Sequence, residues 1–279
     1  VYRLFTTPLL VFCLSLLVAC EAVDETRNRL LDKATAFVPV TVDEAVGEQA
    51  MEQLRQRFRF VENQLLKKEI EALAKPLVEA VPGDYPGEIN IHVIDNPMVN
   101  AFALPGGDII LPTGFLLFVQ SAEEVRGVLA HEIAHVVQRH SMQGLMTRVG
   151  ISLALQATLG DASEIVQAIA IQGANLLALK HSRDDEREAD AVGVALLQEA
   201  GLDPSGLAQF FKRLQATKGV AAGDGIVGSL EEMLSTHPLT EERVDRLAGI
   251  SPVKVQKAGI SKARFDRFQS IVRQVQTTQ

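Results

Sequence analysis

Between about residues 46 and 80, apolar side chains recur at threes and fours. Leu54, Phe58, Val61, Leu65, Leu66, Ile70, Leu73 and Leu77 keep that spacing, which predicts a helix with one buried face. Val81-Pro82-Gly83 and Pro86-Gly87 end it. The pattern then changes period. Glu88 to Ile94 alternates polar and apolar residues, as a strand does. His92 reads as a sheet-face histidine within it. Two more short strands, 98–104 and 108–111, are predicted around Pro105-Gly106-Gly107. At Ser121 the helical period returns. Ser121-x-x-Glu124 is a capping box, and Val125, Leu129, Ile133 and Val136 form the apolar stripe that follows. Residues 145–180 are rich in Leu, Ile and Ala and are broken at Gly160-Asp161. They read as two buried or interfacial helices, since neither half reaches the roughly twenty apolar residues of a membrane span; a membrane-dipping hairpin is the alternative. Further helices are predicted over about 184–200, closed by Gly201, after Asp203-Pro204 to about 216, and over 240–247. The Gly- and Ala-rich stretch 218–228 reads as a loop, and the basic tail from Ser251 as one closing strand or helix. The sum is an α+β fold, mostly helical, with a small β-sheet beside the helix that starts at Ser121.

The chain has 279 residues, of which 47% are hydrophobic and 22% charged, so it can bury a substantial core. A net charge of −8, no basic stripe and 5% aromatics with no Trp argue against nucleic-acid binding. The first residues form a targeting pattern. Arg3 precedes an apolar run from Leu9 to Ala19 that is too short to span a bilayer comfortably. It ends Leu17-Val18-Ala19-Cys20, which resembles the lipobox of bacterial lipoproteins. That resemblance implies a signal peptide over 1–19, acylation of Cys20, and a lipid-anchored tether over 20–45 before a domain over 46–279. Ala22, where inner-membrane retention uses Asp, implies the periplasmic face of the outer membrane. Cys13 and Cys20 are the sequence's two cysteines, so a metal site in the domain would draw on His and carboxylates.

His131-Glu132-Ile133-Ala134-His135 is an H-E-x-x-H sequence on the predicted helix. Residues four apart share a helix face, so both histidines can reach one metal ion. Glu132 lies about 100° further round, near enough to take a proton from water at the metal without ligating it. This is the pattern of a zinc hydrolase, with one Zn²⁺ per chain. Such a site needs a third protein ligand. The run from Ser182 to Asp190 offers five carboxylates, Asp184, Asp185, Glu186, Glu188 and Asp190. Read alone, it is either a solvated helix face or the source of that ligand.

Ser182-Arg183-x-x-Glu186-x-x-Ala189-Asp190 resembles a segment of the HtpX and CAAX-prenyl-endopeptidase family of zinc metallopeptidases. The resemblance implies a zincin-like fold, with Glu186 as third ligand and Asp190 as the carboxylate that orients a ligand histidine. Two more segments match. Asn100-Ala101-Phe102-Ala103-Leu104-Pro105-Gly106-Gly107 is similar to an active-site edge strand of the family's periplasmic members, where an extended peptide docks. His237-Pro238 with Arg243 resembles the H-P-x-x-x-x-R segment. His237 would then stabilise the oxyanion or occupy the fourth zinc position in a self-inhibited state, and Arg243 would support the cleft or the oxyanion. The likeness covers about residues 45–250, with core motifs over 100–243. It implies a zinc-dependent endopeptidase acting on unfolded or misassembled cell-envelope proteins. The sequence holds neither the tetratricopeptide repeats of some periplasmic members nor the membrane helices of the prenyl endopeptidases, which argues against CAAX processing. A chaperone-like assembly factor that rarely cleaves is the alternative, and an intact Glu132 weighs against it.

Overall fold

The computed structural model describes residues 35–36, 38–149, 180–218, 233–250 and 260–277. The signal segment, Cys20, most of the tether, the apolar run beyond residue 149 and the 218–228 stretch therefore lie outside the described residues, except for their edges. Among the described residues no helix is long and apolar enough to cross a membrane.

The periodic stretch 46–80 forms two helices, not one. Helix α1 runs Val40–Arg57 and α2 runs Gln64–Val78. Between them Phe58 and Phe60 turn onto a separate apolar cluster with Leu54, Ile94, Phe102 and Leu104. Phe60 bridges Ile94, and the Val61 N–H donates to the Val93 carbonyl. The chain thus becomes a short fourth partner of the sheet. Helix α1 also begins before residue 46, so the end of the predicted tether is part of the folded body.

The sheet has strands β1 (Asn90–Ile94), β2 (Phe102–Ala103) and β3 (Asp108–Pro112) in the order β1-β3-β2. β1 pairs parallel with β3, and β2 antiparallel. The predicted strand 98–104 shrinks to two residues for local reasons. Asn100 accepts the Ala101 N–H on its own side chain at 3.0 Å. From Pro105 the chain enters a 3-10 turn in which Gly107 has φ 104° and a Cβ there would lie 1.9 Å from the Glu88 carbonyl. Only glycine fits both demands.

Helix α3 (Thr113–Phe118) leads to α4 (Ala122–Val137), which carries the H-E-x-x-H residues. Ser121 caps α4 by accepting the Glu124 N–H at 3.2 Å. The Glu124 side chain, however, accepts from the Gln120 N–H and pairs with Arg213, so the box is displaced by one residue. α4 was expected to be amphipathic, yet its residues from Val125 to Val136 are all buried, on every face. Neighbours approach it on all sides. Helix α5 (His140–Val149) follows it directly. Helices α6 (Arg183–Glu199) and α7 (Ser205–Lys218) pack across it. Gly127 permits the α7 contact, because a Cβ there would sit 2.3 Å from the Leu207 amide nitrogen. Helices α8 (Glu241–Ala248) and α9 (Lys262–Thr277) complete the described body. The predicted closing element is thus a helix, docked through Phe265, Phe268 and Val272.

Candidate metal centre

Helix α4 presents His131, Glu132 and His135 in the buried interior, each no more than 1% exposed. Helix α6 supplies the facing side. Its N-terminus is closed by a full capping box between Ser182 and Asp185, and this assigns the five carboxylates of the run to separate tasks. Asp185 caps, Asp184 pairs with Arg187, and Glu188 stands at the surface. Glu186 and Asp190, one turn apart, are buried and face α4. His237 enters from the loop before α8, its N–H donating to the Met233 carbonyl.

Four donor atoms converge. His131 Nε2 lies 3.1 Å from His135 Nε2 and 3.4 Å from His237 Nδ1. Glu186 oxygens lie 3.4 Å from His131 Nε2, 3.4 Å from His135 Nε2 and 2.9 Å from His237 Nδ1. Ligands at zinc distances on a tetrahedron stand about 3.3 Å apart. Imidazole nitrogens 3.1 Å apart, each aimed at the same point, are the arrangement of ligands sharing a cation. The three histidines and Glu186 therefore fit one Zn²⁺. Glu132 stands beside this set with Oε1 3.7 Å from His237 Nε2. Its carboxylate is fully buried, with the Ala103 backbone and His237 as its polar neighbours among the described residues.

Electrostatics follow the geometry. Burial disfavours charge on His131, but Asp190 and Glu186 outweigh it and raise the group to about 9. The site favours positive charge, whether proton or metal ion. Burial also pushes Glu186 upward, yet His237, His131 and His135 hold it well below the usual carboxylate range. Burial, with His181 next to it, drives His135 well below its ordinary value. Glu132 is raised, chiefly by burial.

Behind the donors stands a second set of contacts. His131 Nδ1 faces Asp190 Oδ1 at 3.2 Å. Asp190 is gripped by the Arg243 guanidinium through two hydrogen bonds, 2.8 and 2.9 Å, and by Arg246 at 3.0 Å. Arg243 also contacts Glu186 at 2.5 Å, donates to the Pro238 carbonyl at 2.9 Å and lies over the Phe211 ring. Its guanidinium thus bridges the two buried carboxylates, Glu186 and Asp190. His135 Nδ1 is 2.9 Å from His140 Nδ1, and the His181 ring stacks on His135 at 3.9 Å. Sequence reading did not single out His140 or His181. Their one signal was proximity, five residues after His135 and immediately before Ser182.

The 100–107 segment lies at the sheet's edge, as β2 is the outer strand. It is buried along most of its length, Gly106 being partly exposed. The Ala103 carbonyl accepts from the Ser141 hydroxyl at 2.8 Å. The Ala101 N–H is taken by Asn100, the Leu104 N–H by the Asp108 carbonyl and the Gly107 N–H by the Leu104 carbonyl, and Phe102 and Ala103 pair with β3, so much of the segment's backbone is engaged inside the chain.

The sequence profile of peptidase family M48 matches residues 62–251, more than half of the chain. The chain is 28% identical to the beta-barrel assembly-enhancing protease of Yersinia pestis over 76% of its length and 44% of the relative's. It is 27% identical to the protein of that name from Escherichia coli K12, over 78% of the chain and 47% of the relative. It is also 36% identical to the mitochondrial metalloendopeptidase OMA1 of Arabidopsis thaliana, over 57% of the chain and 30% of the relative. The chain spans less than half the length of each.

Proposed function

The chain belongs to peptidase family M48, and on that footing we propose that it is a zinc-dependent endopeptidase. His131, His135 and Glu186 hold the metal in this reading, and Glu132 is the general base. The observation that carries it is the buried convergence of those donors, 3.1 to 3.4 Å apart, with the buried Glu132 carboxylate beside them. When bound, zinc supplies Lewis acidity, which polarises a scissile carbonyl and eases the deprotonation of water. Glu132 accepts the water proton as attack begins and passes it to the departing amine. Asp190, held by Arg243 and Arg246, keeps His131 turned toward the metal. The substrate backbone runs along residues 100–107 by strand addition, which reads main chain and so suits unfolded segments. The bacterial relatives are named for enhancing beta-barrel assembly, which favours proteins of that assembly as the substrate class. Anchorage at the outer membrane through a lipid on Cys20 rests on the lipobox residues alone.

The test is metal content and cleavage of an unfolded protein such as casein, for the wild type and Glu186→Ala. Glu186→Ala is expected to lose stoichiometric zinc and activity together. Full zinc occupancy in that variant would remove Glu186 from the ligand set.

A second reading concerns the resting state, and His237 supports it. Its Nδ1 lies 2.9 Å from Glu186 and 3.4 Å from His131 Nε2, so four protein donors surround one point. A catalytic zinc site keeps one position open. We read this conformation as the latent form, with His237 as a displaceable fourth ligand. His237→Ala is then expected to raise casein cleavage several-fold; equal or lower cleavage would assign His237 to the reaction instead.

A further inference from the structure

From the geometry behind the metal centre we infer that His140 is the positioning residue for His135, fixing its tautomer and ring plane. The inference rests on the zinc reading above. His135 Nε2 points at the shared metal position, so a metal-bound His135 carries its proton on Nδ1. That nitrogen is 2.9 Å from His140 Nδ1. One of the two must donate and the other accept, and the tautomer is set by that requirement. His135 Nδ1–H donates, and His140 Nδ1 accepts. His140 must then bear its own proton on Nε2, and this atom lies 3.6 Å from Glu188 Oε2. The Glu188 carboxylate favours a proton on that nitrogen, and Gln138 holds the carboxylate through its other oxygen at 2.9 Å. The order is thus metal, His135, His140, Glu188, from a buried centre to an exposed side chain.

The two arms of the centre are built differently. His131 faces a buried carboxylate locked by two arginines, whereas His135 faces a buried histidine ring with its carboxylate at the surface. The fold makes a special effort to bring that ring there. Five residues along a continuous helix would put position 140 about 140° round from His135. The chain instead breaks at Arg139, a non-glycine residue with φ 58°, and restarts as α5 at His140. That left-handed position is held by the Arg139 guanidinium, which binds Asp43 through two hydrogen bonds and the carbonyls of Thr35 and Val38.

Zinc affinity, measured by competition with a chromogenic chelator, tests the inference without an activity assay. The visible absorption of the Co²⁺-loaded protein reports ligand geometry alongside it. His140→Leu removes the acceptor and is expected to weaken zinc binding about 10- to 100-fold and to shift the Co²⁺ bands. His140→Asn can set its Oδ1 where the ring nitrogen was, and is expected to restore both. Wild-type affinity in folded His140→Leu, or an Asn variant as weak as the Leu variant, overturns the assignment. Glu188→Leu, at an exposed position, covers the case in which His140→Leu does not fold. It is expected to weaken zinc several-fold, and unchanged affinity there overturns it equally. A wild type that binds no zinc would instead defeat the peptidase reading.

Discussion

Zinc-loaded Glu132→Gln should turn over an unfolded substrate about 100- to 10,000-fold more slowly than the wild type, the range for loss of a general base. The amide has almost the same shape, so the packing of α4 is preserved. Glu132 is not among the converging donors, so the metal content should stay at one ion per chain. What disappears is the buried carboxylate that stands beside the converging donors without being one of them. Its acidity gives the pH profile a sign. Burial raises Glu132, with His237 and His131 opposing. A base must be ionised to act. Wild-type kcat should therefore fall as pH drops through a value above the ordinary carboxylate range, and the residual activity of the Gln variant should lack that limb. Near wild-type turnover in the metal-loaded variant would defeat the assignment.

Arg243→Met should cost the metal-free protein about 3–5 kcal/mol, the loss expected when one partner of a buried ion pair is removed. Arg243 is 2% exposed and touches two carboxylates that are equally hidden. Methionine fills much of the volume but leaves Glu186 and Asp190 with less compensation and the Pro238 carbonyl without its donor. Burial opposes ionisation of Asp190, yet Arg243 and His131 bring it below its usual value. A carboxylate depressed in the folded state contributes stability above its unfolded pKa, and that contribution is lost as pH falls through the folded one. The deficit of Arg243→Met, read from urea midpoints, should thus be largest near neutrality and shrink on acidification. A variant with the wild-type midpoint at pH 7 would show that Arg246 alone suffices for Asp190.

The H-E-x-x-H pair was legible because a local rule sets it, four-residue spacing placing His131 and His135 on one helix face. Glu186 and Asp190 were separated from the other carboxylates of their run only by resemblance to a family segment, since helix spacing alone leaves all five open. The same rules misread two places. The apolar repeat keeps its phase through Phe58 and Val61 because the turn between the helices half-buries both, so a change of direction left no trace in the period. The edge strand looked long because nothing in an alternation announces that Asn100 will bond its neighbour's amide. His140 was invisible for a third reason. It becomes a neighbour of His135 only after a left-handed residue, and arginine is not a residue that advertises one.

That left-handed arginine has a mechanical consequence. Its guanidinium ties residues 35, 38 and 43 to the end of α4, four positions from His135. The ring of His140 is the next residue along, so the start of the described chain and the end of α4 are joined one residue from the imidazole that faces His135.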